Sequence, residues 1–211
     1  MAILALEFSS ARRSVALAEA TGAVLAEAVE ESTGRGTSAF GLIEQALSAA
    51  KLTREAVAVV AVGLGPGSYT GIRAAIAVAQ GWQLAHETRL LGINSMQSLA
   101  AQAQLEAICG RVNVVVDAQR DEFYLGEWEI ASNCRRELAP LRIVPAAELW
   151  SRQAAGEICV GPEMKQRLFP TAATVATLAA GCQEWARGNQ LEPVYLRATS
   201  FVKAAVGRRE F

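Results

Sequence analysis

The amino-acid sequence predicts an α/β protein, with mixed sheets flanked by helices. Three observations predict it: nearly unbroken apolar runs of strand length, helical-period segments between them, and a restart of the same cycle after Gly110. Runs that are apolar on both faces are expected of strands covered on both sides.

Residues 2–8 form the first such run. Residues 14–18 follow after Arg12-Arg13, and residues 23–29 after the turn signal Thr21-Gly22. Two short connections in a row predict antiparallel neighbours. A polar loop over 32–38 leads into a helix that Thr37 or Ser38 can cap, with Leu42, Ile43, Ala46 and Leu47 at helical spacing. Residues 57–64 are uninterruptedly apolar, rich in Val, and stop at Gly65-Pro66-Gly67. Residues 71–85 then read as a helix. From Ala74 to Ala85 it carries no charge, so most of its circumference must be hidden. Ala74, Val78, Gly81 and Ala85 share one stripe of small residues that lets another helix approach closely. A strand over 90–93 precedes a helix capped by Asn94-Ser95 and reaching about Gln104.

The second cycle begins with a buried strand over 112–116 that ends in Asp117. A strand over 122–130 follows, with Tyr124, Trp128 and Ile130 on one face. A strand over 141–144, a helix over 146–153, a strand over 158–160 and a helix over 172–187 complete the half, and residues 192–197 enter the tail. The expected organisation is a first α/β lobe over 1–100, to which the tail from about 188–211 returns, and a smaller second α/β lobe over 101–187. The two halves read as diverged copies of one unit, on faint self-similarity.

Composition narrows the function classes. The 211 residues make one large or two small domains. Twenty basic against twenty-one acidic side chains leave a net charge of −1, which excludes a chain-wide electrostatic grip on nucleic acid. With 52% apolar and 19% charged residues, a sizeable core is available. No positively charged start precedes the first apolar run, and no stretch approaches the ~20 residues of a membrane span. Cys109, Cys134, Cys159 and Cys182 form no C-x-x-C pair, and His86 is the lone histidine, so no metal site is expected. The expectation is a cytoplasmic protein with reduced thiols and no membrane association.

The richest local signal is Gly65-Pro66-Gly67-Ser68-Tyr69-Thr70-Gly71-Ile72-Arg73, between a strand and a helix. Gly65, Gly67, Ser68, Thr70 and Gly71 suit a loop facing a phosphate or nucleotide, because glycines allow close approach and helix-start amides attract anions. They equally suit a tight turn that needs small residues to pack. A P-loop would need Lys where Ile72 stands, and a dinucleotide fingerprint would need Gly at Thr70 and an acid near 92–94. Glu7, Ser9 and Ser10 either face a cleft or shape a turn. Asp117, Asp121 and Glu122 either bind a cation or form a solvated turn. His86 closes a helix, where a cation is favourable. No Ser/His/Asp or Cys/His constellation appears, and no catalytic residue is assigned.

Residues 3–10 followed by Ser14-Val15-Ala16-Leu17 resemble the opening of the TsaB (YeaZ) family. The loop from Gly65 to Arg73 matches that family's G-P-G-S-[FY]-T-G-[LIV]-R signature. Gly92-Ile93-Asn94-Ser95, the segment from Asp117 to Tyr124 (similar to D-A-R-x-x-E-[VF]-Y) and Glu192-Pro193-Val194-Tyr195-Leu196-Arg197 extend the likeness. It is strongest over 1–130, weak through 131–185, and returns at the tail. The resemblance implies a two-lobed fold of the actin-like, sugar-kinase and Hsp70 ATPase type. It also implies a non-catalytic subunit of the bacterial machinery that makes tRNA N6-threonylcarbamoyladenosine (t6A). The implied partners are the catalytic subunit TsaD, in a heterodimer, and the ATPase TsaE, with tRNA engaged through the complex and a homodimer in isolation. No cofactor is expected to bind the chain tightly alone, and ATP or ADP enters with the complex. The alternative is an ATP-binding kinase or ATPase of that fold, or an M22-type metallopeptidase.

Departures from the family pattern bear on that choice. Glu7 stands where Asp is usual, Gln119 where Arg is usual, and the first-helix entry from Thr33 to Ser38 has no histidine. The catalytic relative holds its metal with H-x-x-x-H in that helix, and this chain has neither ligand there. In the family the first two helices form a four-helix interface with the partner's pair. Leu42, Leu47, Ala74, Val78, Gly81 and Ala85 are the residues expected to contribute, desolvating ~800 Å² per subunit.

Overall fold

The computed structural model describes residues 1–31, 39–182 and 190–196. Its first sheet contains β1 (Ala2–Glu7), β2 (Arg12–Glu19), β3 (Val24–Glu31), β4 (Val57–Gly63) and β5 (Arg89–Ile93), ordered β3-β2-β1-β4-β5. The three leading strands are antiparallel neighbours, and β4 and β5 run parallel to β1. Its second sheet contains β6 (Gly110–Gln119), β7 (Glu122–Ile130), β8 (Arg135–Pro145), β9 (Ile158–Gly161) and β10 (Gln166–Arg167). Its order, β8-β7-β6-β9-β10, repeats the first, again with two antiparallel pairings and a parallel return. The restart of the sequence pattern after Gly110 is therefore a repeat of topology.

Side chains alternate across β1, and every residue of it is buried. Leu4 and Leu6 point to one face with Val15, Leu17, Val60 and Val62, under α1 (Ala39–Ala50) and α2 (Tyr69–Ala85). Ile3 and Ala5 point to the other with Ala16, Ala61 and Leu91. On that face α5 (Ala172–Ala180) seats Val175, Ala176 and Ala179. In the second sheet, α3 (Ser95–Leu105) packs Met96, Leu99 and Ala103 onto Val112, Val114 and Trp128. Leu149 of α4 (Ala146–Ala154) covers Val115 and Leu125 on the opposite face.

Two expectations need correction. The cut between 1–100 and 101–187 does not follow the cores, because α3 packs on the second sheet and α5 crosses back to the first. An apolar stripe reports that a helix is covered and not which sheet covers it. The crossing helices touch through Ser98, whose Oγ lies by the Thr171 amide (3.2 Å) and the Thr174 hydroxyl. Leu42 and Leu47 are buried within the first core and do not lie on an open surface, since α1 turns its apolar stripe to its own sheet. Elsewhere α2 begins at Tyr69, β8 runs from Arg135, β10 is a short strand that the sequence pattern does not predict, and residues 183–189 lie outside the described residues. So do the proposed caps Thr37 and Ser38. Asn94 caps α3, its side chain accepting from the Met96 amide at 2.8 Å.

Glu127, nearly buried on β7, accepts from Arg111 at 2.6 Å and Arg152 at 3.1 Å, with Arg142 3.5 Å away. The Arg111 hydrogen bond first, then the charge of Arg152, holds this carboxyl below its usual value. A carboxyl lowered in the folded state stabilises above its unfolded pKa and loses that contribution as pH falls through the folded one. Glu127→Gln should cost about 1–3 kcal/mol of unfolding free energy at neutral pH. Urea denaturation at stepped pH should show the gap to wild type closing below the usual value of 4.5.

Candidate functional site

β1 ends in Glu7, a fully buried carboxylate. The Ser9 amide donates to its Oε1 and the Ser95 hydroxyl to its Oε2, both at 2.8 Å. Ser95 Oγ in turn accepts from the Gly65 amide at 3.0 Å. Burial raises the Glu7 pKa, and the donors from Ser9 and Ser95 hold it back. The carboxylate fills space left by Gly63, where a Cβ would meet Oε2 at 2.0 Å. Glu7 thus ties the strand end, the glycine loop and the start of α3 together, and it does not line the neighbouring cleft.

The glycine loop lies on the β1–β2 turn. A Cβ on Gly67, at φ +148°, would come within 2.1 Å of the Ser9 carbonyl, and one on Gly71 within 2.0 Å of the Phe8 carbonyl. The Ser68 amide donates to the Ser9 carbonyl at 2.6 Å, and Ser68 Oγ caps α2 by accepting from the Gly71 amide at 3.3 Å. Several amides that could cradle an anion are therefore engaged within the chain. Of the five loop residues singled out, Gly67 and Ser68 line the cleft, while Gly65 and Gly71 pack inward and Thr70 is exposed.

That cleft, about 640 Å³, opens between the halves. Ser9, Ser10 and Arg13 face Asp117, Gln119 and Glu163 across it. The Asp117 carboxylate accepts from the Gln119 amide (2.7 Å) and side chain (2.6 Å), which shapes the β6–β7 hairpin. Gln119, Arg120 and Asp121 all have φ near +60° there. Among the described residues no three His, Cys, Asp or Glu side chains gather as a metal cluster. His86 ends α2 with its ring 5.9 Å from that of Trp82.

A second feature lies on α2. Ile72, Ala75, Ile76, Ala79 and Trp82 face the core. On the opposite side Ala74, Ala77, Gly81 and Ala85 are exposed and Val78 is half-buried. Four of the six residues named from sequence for an interface, Ala74, Val78, Gly81 and Ala85, thus share one outward face. Leu84, 90% exposed, and Phe40 of α1, 66% exposed, extend it and were missed from sequence. Their only signal was bulk within segments that already read as core. Phe40, Ile43, Ala77, Val78, Gly81 and Ala85, together with Glu44, Arg54 and His86, line a largely apolar groove of about 470 Å³ between α1 and α2.

The duplicated sheet order with crossing helices defines a two-lobed α/β protein with mixed sheets flanked by helices. The family model described as TsaD, tRNA N6-adenosine threonylcarbamoyltransferase, matches residues 37–207. The tRNA threonylcarbamoyladenosine biosynthesis protein TsaB of Escherichia coli K12 is 30% identical over 162 residues, 65% of this chain and 69% of that protein. Its counterpart in Bacillus subtilis is 22% identical over 148 residues, 70% of this chain and 64% of that protein. A Pseudomonas aeruginosa protein described as similar to the peptidase YeaZ superposes with a TM-score of 0.78 at 29% identity, covering 93% of this chain and 99% of that one. The chain belongs to the TsaB/YeaZ family and carries a TsaD-like domain.

Gly67→Ala forces a side chain against the Ser9 carbonyl at a φ that L residues rarely adopt. It should cost about 1–3 kcal/mol, as overpacking does, read as a lowered thermal midpoint.

Proposed function

We propose that this chain is a non-catalytic subunit of the t6A machinery that docks on a TsaD-type catalytic subunit through the outer face of α2, together with TsaE. The observation that carries the reading is a face without a charged residue from Ala74 to Ala85, flanked by exposed Leu84 and Phe40. Leaving such a surface in water forgoes about 1.5–3 kcal/mol for each large apolar side chain, which association recovers. The small residues suit close approach of a partner helix. The TsaB names of the relatives support the pathway. In this reading tRNA is held mainly by the partner, because the net charge of −1 leaves little to attract phosphate. Gly67 and Ser68 meet any nucleotide only once the complex has formed. In the absence of a partner the same face can pair with itself as a two-fold dimer.

Gly81 gives a clean test, since nothing lies within 4 Å of where its Cβ would sit. Gly81→Arg should leave stability within about 0.5 kcal/mol of wild type, as exposed substitutions do. It should abolish co-purification with TsaD and stop reconstituted tRNA modification. Retained association would overturn the reading.

A further inference from the structure

The helix that carries the open face has a single charged residue, Arg73. It is exposed and stands one turn before Ala77, at the head of the outward stripe. Its guanidinium donates to the Tyr69 hydroxyl at 2.7 Å and lies 5.0 Å from the centre of that ring. The Tyr195 side chain is its second hydrogen-bond partner. Tyr195 belongs to the segment 190–196, which is seated by buried Leu191 and by the Val194 amide, donating to the Leu64 carbonyl at 2.9 Å. Its ring lies 5.9 Å from that of Tyr69. Two tyrosines from separate segments thus fix the cation, and among the described residues no carboxylate pairs with it.

We infer that Arg73 receives a carboxylate from the docking helix of the catalytic partner and so fixes where along α2 that helix settles. The pairing rests on the reading of α2 as the partner-binding face. Charge decides the chemistry. The single charged residue of α1, Glu44, is already neutralised by Arg54 at 2.5 Å. Arg73 is therefore the charge that these two helices leave without an opposite one. Covering it with apolar side chains alone would strip water from a guanidinium and return nothing, a cost that an anion opposite removes. A guanidinium has more N–H donors than two hydroxyls can use, and a carboxylate matches its fork with parallel hydrogen bonds. The tyrosines hold the side chain in place before the partner arrives, so little rotamer freedom is lost on docking. Glu87 stands exposed beyond the far end of α2, which places the partner's carboxylate over the start of the helix. Phosphate is the poorer match, because the cleft beside Tyr69 and Tyr195 sets Asp117 and Glu163 against one cation, Arg13.

The test measures binding of the full chain to TsaD by titration calorimetry, and the association rate at stepped salt. Arg73→Gln should weaken binding roughly ten- to a hundredfold and flatten the salt dependence of that rate. Arg73→Lys should keep the salt dependence and recover part of the affinity. Arg73→Glu should be rescued by one acid-to-arginine change on the docking helix of TsaD, found by scanning its acidic residues. Unchanged affinity in Arg73→Gln, with Gly81→Arg still blocking TsaD, overturns the pairing and leaves the partner face standing. A loss that Arg73→Lys does not relieve and salt does not alter marks a pin that only holds residues 190–196 on α2, and overturns it too. Weaker binding of tRNA to the complex, at unchanged affinity for TsaD, assigns the cation to phosphate and also overturns it. Association untouched by Gly81→Arg removes the partner reading itself, and the pairing with it.

Discussion

A carboxyl group sealed inside the protein at the end of β1 constrains the segments built around it. Glu7 is fully buried, so each of its oxygens needs a donor to offset lost hydration. One donor is local, the Ser9 amide just beyond the strand, and the other is remote, the Ser95 hydroxyl at the start of α3. Ser95 also accepts from the Gly65 amide, which draws the glycine loop into the same network. The close approaches of Gly67 to Ser9 and of Gly71 to Phe8 follow from that seat. Three segments far apart in sequence are held at one point, and α2 leaves that point in a set direction.

The direction of α2 decides how its apolar character is used. A helix without charges over twelve residues would ordinarily be enclosed. Here half of its circumference covers the first sheet, and the other half, from Ala74 to Ala85, faces outward with Leu84 almost fully exposed. The small residues keep the outer face shallow, and the groove beside α1 gives it relief. The loop that precedes α2 meanwhile turns several of its amides inward. The polar cleft and the apolar helix face are therefore separate features of adjoining segments.

Much of this was legible from residue order, and the exceptions share a cause. The strands at 2–8, 57–64 and 122–130 were evident because unbroken or alternating apolar runs have few other structural outcomes. The cap at Asn94 was evident because Asn before a helical run satisfies a free amide. Leu42 and Leu47 were misplaced because helical spacing tells which residues share a face and is silent on what covers it. Sequence adjacency likewise misassigned α3 and α5, which cross to opposite sheets. Leu84 and Phe40 went unnoticed because an exposed Leu and a buried one look alike in a string of letters. Glu7 could be read as a cleft residue or a turn residue until its donors were known.

The order of residues was enough to establish the α/β class, the repeated cycle, the family, and a helix too apolar for an isolated surface. Those properties are local, arising from periodicity, capping and short motifs whose chemistry stays within a few neighbours. Which side of that helix meets water, where the glycine amides point, and how Ser95 comes to serve Glu7 across 88 positions needed the folded molecule. Those properties depend on contacts between segments remote in the chain, and packing, which no local pattern encodes, selects among them.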